Sequence, residues 1–329
     1  MIVFHVSGEH PELPLEEIRS VHEAYDAKFE VLSAEGQLIL ADSELEKKDL
    51  LRLAFTHEFY PTKELTDAKN LDSVLLGLKV KKPQTLCVRC LGFENNSAEE
   101  RKAGEVLYSR WRAKVDFNKP ELWVYIIKVG KNIAVSLEGC ETDDFNKRDP
   151  NSRPFFHPLA LNPKLARLFL NLARLKIGDI VLDPFCGSGS VVIEAALIGL
   201  KAVGSDKDPK MIWGCRKNLE FYNLKANILE GDATDIKLMA RDGRKILADA
   251  IVTDPPYARS SKMFNKELGN LYDEFLKSAF KALKPGGHLV MAVPHTIKLG
   301  YPGFEKRGDY LNYVHKSLTR RIYILRKPN

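Results

Sequence analysis

Asp179 to Leu200 reads DIVLDPFCGSGSVVIEAALIGL, and the fold is decided by how the parts of this stretch join. Ile180–Leu182 is a short apolar run of strand formers, expected as a buried strand. Asp183 ends it, Gly187 and Gly189 turn the chain, and a helix is expected to begin near Ser190. Glycines let a backbone approach a ligand where side chains would block it. The helix N-terminus offers unpaired N–H groups and the positive end of a dipole to an anionic group. A dinucleotide loop would need GxGxxG. Here the third glycine position is Val192, and Asp183 would sit badly beside a pyrophosphate. An acid at that place suits the ammonium of an amino-acid moiety instead.

Downstream, strand and helix patterns alternate to about residue 300, which implies a mostly parallel sheet covered by helices on both faces. The second strand ends in GSDKDP. Asp206, at its C-terminal edge, is placed to accept from both hydroxyls of a ribose, while Asp208-Pro209 supplies a separate helix cap. The third strand, Ala226–Leu229, runs into Glu230-Gly231-Asp232-Ala233. Asp232 there can accept from an adenine amino group. Met211 reads either as packing on the adenine ring or as a buried helix residue. Tyr310 to Lys327 is expected as two strands joined near Lys316, an antiparallel hairpin at the sheet edge.

The fourth strand, Ala250–Thr253, ends in Asp254-Pro255-Pro256-Tyr257. Two successive prolines fix φ and remove two N–H groups, so the carbonyls are held outward and unpaired. The Asp254 carboxylate and the Pro255 carbonyl can then accept both hydrogens of an amino group, with Tyr257 stacked on the ring that carries it. An exocyclic amino nitrogen on guanine or adenine is a poor nucleophile, because its lone pair is delocalised into the ring. Two acceptors aligned on its hydrogens favour a pyramidal nitrogen whose lone pair points at an activated methyl group.

Upstream, Pro14–Ala24, Glu44–Phe55 and Ser97–Lys114 read as helices, the last with Ser97 as N-cap and Glu100 three residues on. Gln37–Ala41 and Leu86–Leu91 read as strands, and Leu122–Val129 with Ile133–Leu137 as a hairpin across Gly130–Asn132. The stretch TDDFNKRDPNSRPFFHPLALNP, residues 142–163, has four prolines and little periodicity, the mark of a linker. Pro163–Leu175 is expected as an amphipathic helix.

Of the chain's 50 basic and 44 acidic residues, residues 1–60 hold 5 and 13, a net of −8, which leaves residues 61–329 at +14. That imbalance fits a polyanionic partner for the longer part. Five cysteines (Cys87, Cys90, Cys140, Cys186, Cys215) make no disulfide framework. The single CxxC pair, Cys87 and Cys90, lacks the second pair or Cys/His set that a zinc site needs, so no metal is expected. No apolar run approaches the roughly 18 residues of a membrane span. The N-terminus has no signal-peptide pattern, and a cytoplasmic location is expected.

DPFCGSGS, Asp206, GDA and DPPY, in that order, resemble the amino-methyltransferase branch of the Rossmann-fold methyltransferases over residues 153–329. With RPFFHPLALNPKLARLFLNLA leading into the first motif, the arrangement is similar to the archaeal tRNA guanine-10 N2-methyltransferase family. The resemblance implies an α/β chain with a ferredoxin-like domain (1–52), a THUMP RNA-binding domain (53–145), a linker (146–165) and a methyltransferase domain (166–329). It implies S-adenosylmethionine as donor, tRNA as partner with no obligate protein partner, and N2-methyl- and N2,N2-dimethylguanosine at position 10 as products. Asp183, Pro184, Phe185, Gly187, Gly189, Asp206, Asp232 and Ala233 would hold the cofactor. Asp254, Pro255, Pro256 and Tyr257 would hold the base. Ala258 departs from the glycine expected after DPPY, and Arg259, Ser260 and Ser261 could contact phosphate or the flipped nucleotide. Three rivals stand beside this reading. One is a DNA adenine-N6 methyltransferase, and another is a related enzyme acting on tRNA position 6 or on ribosomal RNA. The third is an RNA-binding protein with a degenerate enzyme domain.

Overall fold

The computed structural model describes residues 1–239, 245–257, 262–315 and 318–329. The chain divides into two compact units. The first holds Met1–Pro14, Asp26–Leu51 and Phe55–Thr142; the second holds Leu15–Tyr25, Arg52–Ala54 and Asp143–Asn329.

The first unit is built from β1 (Ile2–Val6), β2 (Phe29–Glu35), β3 (Leu38–Ser43), α2 (Lys47–Leu50), β4 (Thr56–Thr66), α3 (Leu71–Gly77), β5 (Thr85–Leu91), α4 (Asn96–Trp111), β6 (Lys114–Val115), β7 (Leu122–Val129), β8 (Asn132–Ser136) and β9 (Cys140–Glu141); α1 (Leu13–Ala24) falls almost wholly to the second unit. The strands form one sheet in the order β2-β3-β1-β4-β8-β7-β5-β6, with β9 beside β4. Strand β4 pairs with β1 along its first half and with β8 along its second. The hairpin β7–β8 closes at Val129 and Asn132, with Gly130 at a positive φ of 61° as a two-residue connection requires.

Side-chain alternation sorts the two faces of this sheet. Leu86, Val88, Cys90, Val124 and Ile126 pack against α3 and α4 with Leu75, Leu107 and Trp111. The opposite face of β5 and β7 carries Cys87 opposite Trp123 and Arg89 opposite Tyr125.

Two expected elements are corrected. The helix expected over Glu44–Phe55 is a single turn, Lys47–Leu50, with no side-chain cap on Glu46. The chain is drawn out of helical geometry beyond it: Arg52 Nε donates to Asn171 at 2.7 Å, and the Ala54 N–H donates to Glu17 at 2.8 Å. Helix α4 is capped by Asn95, which accepts from Ala98 N–H, rather than by Ser97. Glu100 instead accepts from the Cys90 N–H at 3.1 Å.

The second unit continues with α5 (Pro163–Leu172), β10 (Ile180–Asp183), α6 (Ser190–Leu197), β11 (Lys201–Asp206), α7 (Pro209–Phe221), β12 (Asn227–Glu230), β13 (Ala248–Thr253), α8 (Lys262–Ala282), β14 (Leu283–Pro294), β15 (Glu305–His315) and β16 (Leu318–Arg326). Its sheet runs β12-β11-β10-β13-β14-β16-β15. The pairs from β12 to β14 are parallel, and β14–β16 and β15–β16 are antiparallel, as the sequence led one to expect. Both faces of the sheet are buried. Leu289, Met291, Val293, Tyr323 and Leu325 meet Tyr272, Phe275, Leu276 and Ala279 of α8, while the intervening Val290, Ala292, Ile322 and Ile324 are equally covered.

The proline-rich stretch is held by arginines, two of its own and one from α5. Arg148 and Arg167 both pair with the fully buried Glu194 of α6, at 2.6 and 2.7 Å. Arg153 donates to Ser190 Oγ at 2.9 Å and to the Arg148 carbonyl. The Phe155 backbone exchanges two hydrogen bonds with the Asn218 side chain. Gly214 gives the Phe155 ring its place, since a Cβ there would lie 2.1 Å from the ring.

Candidate active site

Strand β10 has β11 on one side and β13 on the other. The chain order reverses there, and in open parallel sheets ligands bind in the crevice beyond the strand ends at such a point. A cavity of about 600 Å³ opens at this place, within the size range of small-molecule sites. Its wall carries Asp183, Pro184, Phe185, Gly187, Asp206, Asp232, Ala233, Asp254 and Pro256, together with Met211. Gly189, Pro255 and Tyr257 do not line it.

Asp183 forms the floor. The residue is 3% exposed. It accepts from the Thr253 hydroxyl at 2.7 Å and from the Phe185 N–H at 3.1 Å, both neutral donors. Burial pushes its pKa up to about 7. A cationic partner in the cavity would complete this group.

The glycine turn is built on left-handed backbone, with φ of 48° at Gly187 and 93° at Gly189. Asp206 ties it down: one oxygen accepts from the Gly187 N–H at 2.9 Å and the other from the Asp208 N–H at 2.9 Å. Each oxygen keeps a second lone pair, so the residue can fix the loop and accept hydroxyls at once. Asp232 is engaged too. It accepts from the Thr234 N–H and hydroxyl at 2.9 and 2.8 Å and pairs with Lys207 at 3.0 Å. The Thr234 bonds, with Lys207 behind them, hold its pKa down at about 2.

Asp254 follows β13, directly beside the end of β10. Its side chain is 11% exposed, and burial raises its pKa to about 7 against the pull of Arg320. The Tyr257 hydroxyl donates to one of its oxygens. Arg320 Nη2 approaches the other at 3.4 Å, and Arg320 Nε donates to the Tyr257 hydroxyl at 3.0 Å. Tyr272 donates to the Pro256 carbonyl at 2.8 Å. Tyr257, expected to present its ring to a base, here lies under the Arg320 guanidinium at 5.5 Å. Ala258, Arg259, Ser260 and Ser261 lie outside the described residues.

Sequence reasoning missed Arg320, Tyr272 and Thr253. It also missed that the proline-rich stretch reaches the site, for His157 and Leu159–Leu161 line the cavity. Only Arg320 left a trace, as a charged residue entering the apolar run of β16. The five cysteines are free and buried, and among the described residues no group of acids, histidines and cysteines is arranged to hold a metal.

Comparison with known proteins gives the lineage. A family model described as RMKL-like, methyltransferase domain matches residues 150–301. The tRNA (guanine(10)-N2)-dimethyltransferase of Methanothermobacter thermautotrophicus is 34% identical over 98% of this chain and 98% of its own. The protein of that name from Methanocaldococcus jannaschii is 31% identical over 99% and 100%. The chain belongs to the tRNA (guanine(10)-N2)-dimethyltransferase family. Membership in the tRNA (guanine(10)-N2)-dimethyltransferase family makes the protein an S-adenosylmethionine-dependent methyltransferase, as DPFCGSGS and DPPY implied. The crystal structure of TrmN from Thermus thermophilus shares the fold, with a TM-score of 0.57 over 99% of both chains at 22% identity. A DNA methylase model also matches, over residues 74–213. It stops short of Asp254-Pro255-Pro256-Tyr257. No helix among the described residues is long and apolar enough to cross a membrane.

Proposed function

We propose that this protein methylates N2 of guanosine at position 10 of tRNA, forming the mono- and dimethylated nucleosides. One observation carries the reading. Asp183 and Asp254, at the ends of neighbouring strands, open into the same cavity. One acid suits the ammonium of a methionine moiety and the other the amino group of a base, so donor and acceptor meet in one chamber.

The residues present fit the cofactor. Asp183 would pair with its ammonium, the backbone of Phe185 to Gly189 would cradle it, and Asp206 would accept from the ribose. Asp232 and Ala233 would flank the adenine, with Met211 against the ring. Bound there, it supplies a methyl group made electrophilic by a sulfonium.

The protein's own part is placement. The target guanine leaves its stack at a cost of a few kcal/mol. Its amino group then displaces the Tyr257 hydroxyl from Asp254. The carboxylate accepts one N–H; the Pro255 carbonyl and the freed Tyr257 ring, neither of which lines the cavity without the base, then turn in to accept the other N–H and to stack on the base. The lone pair is thereby turned toward the methyl, and the aligned approach supplies most of the rate. Asp254 then takes the surplus proton from nitrogen.

Residues 53–145 supply the RNA grip in this reading, as a THUMP domain after a ferredoxin-like segment (1–52). The linker (146–165) leads into the methyltransferase domain (166–329). On the first unit Arg89, which also pairs with Glu100 of α4 at 3.8 Å, lies 5.8 and 5.9 Å from the Phe117 and Trp123 rings, and Trp123 stacks on Tyr125 at 5.7 Å. Aromatic rings beside a cation suit unpaired nucleotides. The protein acts in the cytoplasm with no obligate protein partner.

The test is incubation with labelled donor and tRNA, followed by nuclease digestion and mass spectrometry. Methyl groups on N2 of guanosine 10 are expected. Label at position 6, or in duplex DNA alone, overturns the reading. Asp254→Ala is expected to lose roughly 100-fold or more in kcat while tRNA affinity stays within about threefold.

A further inference from the structure

We propose that Arg320 is a positioning residue of the amino-methylation site: it holds the Asp254 carboxylate ionised and aimed while Tyr257 lets go of it to receive the base. The inference rests on the reading of Asp254 given above.

Arg320 sits on β16, whose backbone is paired on both sides, opposite Pro294 of β14 and Asn312 of β15. Its side chain is 13% exposed. A guanidinium so enclosed is costly unless paired, and its partners here are the two DPPY side chains. One edge of the planar group serves both, Nε on the Tyr257 hydroxyl and Nη2 on Asp254. The three side chains form a closed ring, because the Tyr257 hydroxyl also donates to Asp254.

A bound target competes with that ring. The Tyr257 hydroxyl fills part of the carboxylate edge that an amino group would approach, and the Tyr257 ring must leave the Arg320 guanidinium to stack on a base. Once the hydroxyl leaves, Asp254 loses a donor in an enclosed place where its charge is disfavoured. The other groups around it do not help. Asp183 of β10 is a second acid close enough for the two charges to repel, Tyr272 of α8 is a neutral phenol, and Glu274 of α8 lines the same cavity. His295, just past β14, is engaged with the Thr319 carbonyl. Arg320 is the cation paired with Asp254 among the described residues. It therefore keeps the acceptor in its charged form when a base enters, and the charged form is the one that can accept an N–H of the base and then a proton.

The test compares Arg320→Gln and Arg320→Lys with the unaltered full chain. Methyl transfer to tRNA is followed from about pH 5 to about pH 10 at saturating substrates, about two units below a limb at about 7 and two above one raised to about 8. In parallel, the Asp254 carboxyl is titrated by carbon-13 NMR without substrate, its signal assigned with Asp254→Asn. Removing the cation raises the pKa of the acid. Arg320→Gln should therefore move the acid limb and the carboxyl titration up by about one unit or more, an activity loss of about fivefold or more at pH 7. Activity should return to within about threefold of the unaltered protein above the new limb. Arg320→Lys, which restores charge but not the fork, should bring the limb most of the way back. An unmoved limb and carboxyl titration in Arg320→Gln, or an equal loss at every pH, overturns the inference. If the unaltered protein methylates no tRNA, the functional reading fails, yet the carboxyl titration still decides whether Arg320 governs Asp254.

Discussion

Gly189→Ala tests the glycine turn and can be worked through from geometry. Gly189 has φ 93° and ψ 21°, a left-handed position. A side chain there costs about 1–2 kcal/mol from backbone strain alone. Its Cβ would also lie 2.7 Å from Cys215 Sγ. Cys215 is fully buried on α7 and has little room to turn. Overpacking of this kind costs a further 1–3 kcal/mol or so. The turn is pinned by Gly189 N–H to the Cys186 carbonyl and by Ile193 N–H to the Gly189 carbonyl, both at 2.8 Å, so displacement spreads into the start of α6. Roughly 2–5 kcal/mol of stability should be lost in all. The two causes separate in a double-mutant cycle. Cys215→Ala removes the sulfur and leaves Cys215 Cβ at 3.6 Å, an ordinary contact. In that background Gly189→Ala should cost only the strain, which makes the coupling about 1–3 kcal/mol. Urea unfolding of the four proteins measures it, with calorimetric donor affinity as the functional readout. If Gly189→Ala costs the same in both backgrounds to within about 0.5 kcal/mol, the packing argument is wrong.

Donor binding should release protons, because an ammonium placed on Asp183 pulls down a pKa that burial has raised to about 7. Affinity should accordingly rise as pH increases through 7, and calorimetry in buffers of different ionisation enthalpy would expose an absence of proton release. For stability of the unliganded chain the sign is opposite: the folded state holds the Asp183 proton up to about 7 while the unfolded chain loses it near 3.8, so this group's contribution falls as pH rises between those values. Trp123→Ala should raise KM for tRNA about tenfold or more with little change in kcat, given about 1–3 kcal/mol for one stacked base; an unchanged KM removes the Arg89–Trp123 surface from the RNA grip.

The four acids of the site were legible because parallel strands deliver their C-terminal residues to one edge. Once Ile180–Leu182, GSDKDP, EGDA and Ala250–Thr253 are read as successive strands, Asp183, Asp206, Asp232 and Asp254 must gather there. Arg320 obeys a different rule. It lies 66 residues beyond Asp254 and arrives on an antiparallel strand, whose register is fixed by pairing with β14 rather than by any local pattern. The false helix over Glu44–Phe55 has a similar cause. Its apolar spacing is real, but Leu50, Leu53 and Phe55 are buried one by one along a chain that Arg52 and Ala54 hold open. In the proline-rich stretch, weak periodicity hid strong side-chain anchoring, since what fixes it is arginines bound to Glu194 and Ser190 rather than an apolar face.

The assignment of Leu15–Tyr25 and Arg52–Ala54 to the second unit has a consequence for how the enzyme is made and cut. Glu17 accepts from Asn171, a partner 154 positions later, and Arg174 reaches back to Glu16 and Glu23. During synthesis the N-terminal helix thus emerges long before the transferase core it will complete, and translation must run past α5 before that core can close. A shortened version beginning at residue 143, chosen to isolate the chemistry, would discard part of the core it was meant to keep.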